Sequence, residues 1–305
     1  MKIVMFGSGG VGGYFGGRLA QHGHDVTFVA RGAHLAALQA GGLRLVSPLG
    51  DAHVAPVLAT ADVSTIGPVD VVVLTVKMYD LEEAAAQLAP LLGPDTVVVT
   101  LQNGVEATAI VARHVGAAHV AGGVAYVAAV IDAPGVIRHT ALNRLIFGEL
   151  DGRPSPRLEA FRAALVASGV EAAVSPHIKV DLWSKFARLS VFSSMTTVTR
   201  SPIGVLRSDP DLLALLEEAV AESLAVGRAH GVPLSETVME EIKAMVRDLP
   251  PNAKASMLED LERGRRLELP WLSGAVVRLG REVGVPTPIH RFVATVLKPY
   301  QDGHA

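Results

Sequence analysis

Cysteine is missing altogether from the 305 residues, which excludes disulfides, thiolate metal sites and a cysteine nucleophile at once. Aromatic residues are few, at 5%, and no basic tract is interleaved with them; with a formal charge of −3, nucleic acid is not an expected partner. A membrane-spanning helix needs roughly 20 apolar residues. The longest nearly apolar stretch, Val120 to Ile131, is well short of that, so no membrane association is expected. Met1 to Gly7 lead straight into a glycine cluster without the apolar segment and cleavage site of a secretory signal, which makes the cytoplasm the expected compartment. The 11 histidines are scattered without ligand spacing, so no metal is expected.

What is present describes a packed globular chain: 50% apolar and 19% charged residues, with length enough for two cores. The N-terminal half alternates short valine-rich runs with helical patterns. Ile3–Phe6, Asp25–Val29, Val69–Val76 and Thr96–Leu101 read as buried parallel strands, and Gly10–Gln21, Ala33–Ala40 and Leu81–Leu91 as helices between them. That alternation predicts an α/β, Rossmann-type doubly wound domain. Further strand-like segments follow at Val120–Ile131, Gly135–His139 and Arg144–Phe147, with a turn at Asp132-Ala133-Pro134-Gly135. From about Arg157 the pattern is helical, apart from an extended piece at Glu171–Val174. Helices are expected at Leu158–Ala167, Lys179–Thr199, Asp211–His230, Ser235–Arg247, Ala253–Arg265, Leu272–Val283 and Pro288–Leu297. The expected organisation is residues 1–170 as the α/β domain and 171–305 as an all-α domain, with a soft boundary within 150–178 and a cleft between the two.

Gly7-Ser8-Gly9-Gly10-Val11-Gly12 fits G-x-G-x-x-G directly after a strand and at the start of a helix, the context in which that pattern binds a dinucleotide. Gly7 permits the turn, Gly9 lets a pyrophosphate approach, and Gly12 lets helix and strand pack closely. The second strand ends Val29-Ala30-Arg31 with no acid at its tip. A carboxylate there would hold an NAD ribose; a guanidinium suits a 2′-phosphate, so the expected cofactor is NADPH.

Lys77 ends the strand begun at Val69, and Asn103 follows the next strand in Leu101-Gln102-Asn103-Gly104, both where ligands of open α/β sheets collect. Lys185 lies within the apolar helix segment Leu182-Trp183-Ser184-Lys185-Phe186-Ala187. A lysine deprived of hydration has a lowered pKa and can act as an acid near neutral pH.

Taken together, Gly7–Gly12, Arg31, Lys77, Leu101-Gln102-Asn103-Gly104, Lys185, Ser256-Met257 and Glu268 fall in an order and spacing that resembles the ketopantoate reductases, or 2-dehydropantoate 2-reductases, from Met1 to near Thr295. Most specific are Leu101-Gln102-Asn103-Gly104, Trp183-Ser184-Lys185 and the step from Ser256 to Glu268. The resemblance implies an NADPH-binding Rossmann domain and a helical domain like those of 6-phosphogluconate dehydrogenase relatives. It implies Lys185 as the general acid, Asn103 beside the nicotinamide ribose and that lysine, Glu268 accepting from the substrate hydroxyl, and Ser256 at the substrate carboxylate. The reaction implied is reduction of ketopantoate to pantoate, in pantothenate biosynthesis.

The chain departs from that family at Leu189 and Ser193, where the family carries asparagines four and eight residues beyond the lysine. Lys185, Leu189, Ser193 and Thr196 share one helix face at about 100° per residue. A wall that loses amides favours a 2-oxo acid with a more apolar tail, unless Ser193 with a water, or Thr196, takes the amides' place. A related NADP-dependent dehydrogenase and a non-catalytic NADPH sensor are the other readings; retention of Lys185 speaks against the sensor. A homodimer is compatible with the helical half.

Overall fold

The computed structural model describes residues Met1–Gly303. The chain divides into two compact units, one of Met1–Gln102 with Glu106–Ile178, the other of Asn103–Val105 with the chain from Lys179 onward.

The first unit is a ten-stranded mixed sheet with helices on it. Its strands are β1 Lys2–Phe6, β2 Asp25–Val29, β3 Leu43–Val46, β4 Ala52–Val54, β5 Leu58–Thr60, β6 Val71–Leu74, β7 Val97–Thr100, β8 Val120–Ala133, β9 Val136–Glu149 and β10 Glu171–Val174. They lie in the order β4-β3-β9-β8-β7-β6-β1-β2-β5, with β10 also paired to β9. β1 pairs in parallel with β2 on one side and β6 on the other, and β6 with β7. Every residue of β6 and β7 is buried, which is why those strands read as unbroken aliphatic runs and not as alternation. Helices α1 Gly10–Gln21, α2 Gly32–Gly41, α3 Leu81–Ala86, α4 Ala107–Val115 and α5 Pro156–Ala167 belong to this unit. Phe15 and Leu19 of α1 join Ile3, Met5, Phe28 and Val73 in its core. Burial of each such side chain stabilises by roughly 1.5–3 kcal/mol, and those contacts hold α1 against β1.

Three expectations need correction here. The segments Gly135–His139 and Arg144–Phe147 are one strand, β9, antiparallel to β8, with register shifts and a left-handed residue at Leu142 (φ 62°) that masks the alternation. The helix expected over Leu81–Leu91 stops at Ala86 and resumes as a short 3-10 turn at Ala89–Leu91, because Pro90 has no N–H to continue the ladder. β10 pairs in parallel with β9, so the first unit runs through Ile178 and not only to residue 170.

The second unit is helical: α6 Ile178–Thr199, α7 Ile203–Ser208, α8 Pro210–Ala229, α9 Thr237–Asp248, α10 Ser256–Glu262, α11 Ser273–Val283 and α12 Pro288–Leu297. Its core gathers Trp183, Phe186, Val191 and Met195 of α6 with Leu216, Val220 and Leu224 of α8 and Ala275 and Val276 of α11. The helix expected over Ala253–Arg265 is the shorter α10. It begins after the Pro250-Pro251 turn and ends where Gly264 turns left-handed (φ 63°).

Candidate active site

In the first unit, the turn between β1 and α1 is built from close approaches. Gly7 has φ 103°, and a Cβ there would meet the Val76 backbone nitrogen at 2.8 Å. A Cβ on Gly12 would lie 2.0 Å from the Gly7 carbonyl oxygen, and one on Gly10 2.0 Å from that of Ala129. Gly9 is different: nothing lies within 4 Å of its Cβ position. Backbone therefore packs tightly on either side of one open position. Gly9 also caps α1 without any side-chain hydrogen bond, so the first N–H groups of the helix and its positive dipole end are left for an anion. The N–H groups of Gly7 and Ser8 and the Ser8 hydroxyl all donate to the Val29 carbonyl, at 3.2, 3.1 and 3.0 Å, tying the turn to β2. Val11 is the second residue of α1, at the half-buried start of the helix. An open glycine beside an uncapped helix start fits a dinucleotide pyrophosphate.

Arg31 caps α2 at the C-terminal end of β2. It is exposed, and its guanidinium reaches Glu83 at 3.3 Å. An exposed pair of this kind contributes at most about 1 kcal/mol, little hindrance to a competing phosphate. Lys77 is half-buried just past the end of β6. Thr75, two residues earlier, was not singled out from the sequence, yet its hydroxyl donates to the Gly7 carbonyl and, at 3.3 Å, to that of Phe6. The one hydroxyl at the end of an all-aliphatic strand was the available signal.

The second unit holds the other candidates. Gly104, at φ 113°, bends the chain so that a Cβ would stand 3.1 Å from the Trp271 carbonyl oxygen. That bend brings the Asn103 amide to Glu268, whose carboxylate accepts from Asn103 Nδ2 at 3.3 Å. Glu268 is 4% exposed, so its carboxylate is largely desolvated and depends on such donors. The nearby Arg263, Arg265 and Arg266 have carboxylate partners in Glu259, Asp260 and Asp302.

Lys185 is half-buried on α6. Burial lowers its pKa from 10.5 to about 8; the Arg188 guanidinium lowers it too, and the Glu268 carboxylate opposes both. Lys185, Glu268 and Asn103 therefore form one group. Arg188, one turn beyond the lysine, is a member that the sequence reading overlooked. Its i,i+3 spacing from Lys185 was the signal.

Along α6, Leu189 is half-buried and Ser193 is 1% exposed, with a hydroxyl that has no hydrogen-bond partner among the described residues. Thr196 donates its hydroxyl to the Phe192 carbonyl at 2.7 Å, within the helix itself. Ser256, the first residue of α10, is exposed. Among the described residues no hydrogen bond joins it to Lys185, Asn103 or Glu268. A groove of about 560 Å3 lies elsewhere, at the N-terminal ends of β6 and β7, lined by Met1, Asp70, Thr96 and Arg157 among others. Ligands of such sheets gather at the opposite strand ends, so this groove has no part in the site.

No helix among the described residues is long and apolar enough to cross a membrane, and no cluster among them has the make-up of a metal site. Comparison with known proteins agrees with the two-unit architecture. Residues 3–152 match the family model described as ketopantoate reductase PanE/ApbA, and residues 177–301 match the model of its C-terminal part. A 2-dehydropantoate 2-reductase of Mesorhizobium japonicum is 39% identical, covering 94% of each chain, and one of Halobacterium salinarum is 32% identical over 98% of each. A crystal structure of a PanE/ApbA family ketopantoate reductase from Ralstonia eutropha JMP134 superposes with a TM-score of 0.91 at 32% identity, covering 99% of this chain and 98% of the other. With an open glycine turn in one unit, a weakened lysine beside a desolvated carboxylate in the other, and both halves matched, the chain belongs to the ketopantoate reductase PanE/ApbA family of oxidoreductases.

Proposed function

We propose that this protein reduces a 2-oxo acid to the 2-hydroxy acid with NADPH, 2-dehydropantoate being the first candidate substrate, as in the relatives that carry that name. What carries the reading is the buried Glu268 carboxylate, held by the Asn103 amide at 3.3 Å, whose charge acts on a lysine whose pKa burial lowers to about 8. An ammonium of that acidity is protonated at neutral pH and gives up its proton readily, which is what a ketone oxygen gaining negative charge requires.

NADPH supplies the hydride; the chain supplies position and a proton. The glycine turn and the start of α1 would hold its pyrophosphate, Arg31, now paired with Glu83, would hold the 2′-phosphate, and Lys77 would add positive charge at the end of β6. Lys185 Nζ donates to the ketone oxygen and protonates it. Glu268 accepts a hydrogen bond from the substrate hydroxyl, and the Asn103 amide keeps that carboxylate oriented. Ser256 contributes to the substrate carboxylate. The product leaves Lys185 neutral, to be reprotonated from solvent.

A second reading concerns the substrate's tail. Leu189 replaces a polar position of the family, and Thr196 already spends its hydroxyl within α6, leaving the Ser193 hydroxyl as that wall's remaining hydrogen-bonding group. Such a wall suits a branched apolar chain better than a hydroxylated one. Rates of NADPH oxidation with ketopantoate and with branched and unbranched 2-oxo acids, repeated with NADH, test both readings. Oxidation of NADPH by none of these acids would end the proposal. A clear preference for ketopantoate in kcat/KM would end the apolar-tail reading alone.

A further inference from the structure

Five polar side chains sit inside the otherwise apolar core of the second unit and take no part in the proposed chemistry: Ser190 and Ser194 of α6, Ser223 of α8, Ser273 of α11 and His290 of α12. None is more than 1% exposed, so they must serve one another. His290 is the hub. Its Nε2 lies 3.1 Å from the Ala219 carbonyl and 2.9 Å from the Ser223 hydroxyl, and its Nδ1 lies 3.2 Å from the Ser273 hydroxyl. A carbonyl only accepts, so the ring proton is on Nε2 and Nδ1 accepts from Ser273. Burial lowers the pKa of the ring to about 4, which keeps it in that neutral form. Ser273, its one proton given to Nδ1, accepts from the Ser194 hydroxyl, while Ser223 meets Ser190 at 3.3 Å.

The backbone of His290 is held as well. Its N–H and that of Ile289 donate to the two carboxylate oxygens of Glu222 on α8, at 3.0 and 2.8 Å, which fixes the start of α12. A fully paired buried network of this kind specifies one arrangement of its helices, where apolar contacts alone would accept small slides. At about 100° per residue, Ser190 and Ser194 face away from Lys185, so the network reaches that lysine only through the helix. Its end on α11 is Ser273, which follows Glu268 across the 3-10 turn Leu269–Trp271, stiffened by Pro270. The hydrogen bond between Ser194 and Ser273 therefore ties the helix that carries Lys185 to the segment that carries Glu268.

We propose that His290 is a positioning residue for the reaction: by orienting Ser273 toward Ser194 it sets the Lys185 amine and the Glu268 carboxylate at the spacing one substrate requires. The inference rests on the reading of those two groups as acting on the same 2-oxo acid. It leaves nucleotide binding by the glycine turn of the first unit untouched.

The test compares wild type, His290→Leu, His290→Asn and Ser194→Ala by kcat and KM for the 2-oxo acid, by fluorescence titration of NADPH and by thermal unfolding. Leucine fills the space and pairs with nothing; asparagine keeps an acceptor where Nδ1 stands and gives up the Nε2 contacts. His290→Leu is expected to lower kcat about 30-fold, the scale of a small misplacement of reacting groups, with KM and NADPH affinity within about threefold of wild type. His290→Asn should recover kcat to within about fivefold of wild type, although it loses Ser223 and Ala219 and leaves a gap, so that kcat follows the Ser273 arm and not Tm. Ser194→Ala, too small a change to prevent folding, should lower kcat about tenfold, and combined with His290→Leu its loss should not add. Wild-type kcat in Ser194→Ala, kcat that ranks with Tm across the variants, or additive losses in the double variant would each overturn the role. Wild-type protein inactive toward every 2-oxo acid would instead overturn the reading of the site, and the role of His290 with it.

Discussion

Under the proposed function, the glycine turn of the first unit and helix α6 of the second would recognise their ligands in opposite ways. At the turn, side chains are removed: Gly7, Gly10 and Gly12 sit where a Cβ would strike backbone, and Gly9 opens onto empty space. Recognition there would fall to N–H groups and a helix dipole, which any pyrophosphate can use. On α6 the side chains would do the recognising, Lys185, Leu189 and Ser193 among them. A backbone site fixes the class of cofactor, whereas a side-chain site fixes the reaction and the substrate. Divergence at Leu189 and Ser193 can therefore change the substrate without disturbing the turn.

The largest expected effect separates the two regions most sharply. Lys185→Ala should lower kcat by about 1000-fold, the weight of a general acid, while NADPH affinity measured by fluorescence stays within about twofold. If affinity fell in step with kcat, the division of labour between turn and helix would be lost. Gly12→Ala should do the converse. Its Cβ would stand 2.0 Å from the Gly7 carbonyl oxygen, so the turn must shift. NADPH affinity is expected to fall about 100-fold and the unfolding free energy by about 1–3 kcal/mol, read by titration and denaturant melts. A smaller effect sharpens the comparison within the first unit. Arg31→Ala should raise KM for NADPH about 30-fold, the loss of a charge-assisted contact, and leave KM for NADH nearly unchanged. Equal losses for both cofactors would remove the 2′-phosphate from the account.

Much of the turn was legible in the sequence because absence leaves a mark: glycines at fixed offsets after Ile3–Phe6 state where backbone must approach backbone. Lys185 was legible because a charge in an apolar helix is conspicuous. Asn103 and Glu268, 165 residues apart, were brought together by family resemblance and not by any local pattern, since nothing nearby in the sequence announces that contact. Arg188 passed unnoticed because a lone arginine on a helix is ordinary until its neighbours are known. The short strands Leu43–Val46, Ala52–Val54 and Leu58–Thr60 went unseen because three or four residues carry too little periodicity. Helix Ala107–Val115 was missed although Gly116 (φ 83°) closes it, and the β9 alternation was hidden by the irregularity at Leu142.

The central claim is that the amine of Lys185 supplies the proton, and its acidity gives the claim a signature. With the pKa lowered from 10.5 to about 8, the unfolded chain binds this proton more tightly than the folded one between those values. The destabilising effect of the buried ammonium is thus full below about pH 8 and fades as the pH rises to 10.5. Activity should run the other way, because reduction needs the protonated amine. The most direct measurement is the pH dependence of kcat/KM for NADPH-driven reduction of the preferred 2-oxo acid. The account predicts a plateau near neutrality and a tenfold fall per pH unit above about 8, which reports the free enzyme's acid. A rate that stays level to pH 10 would contradict it.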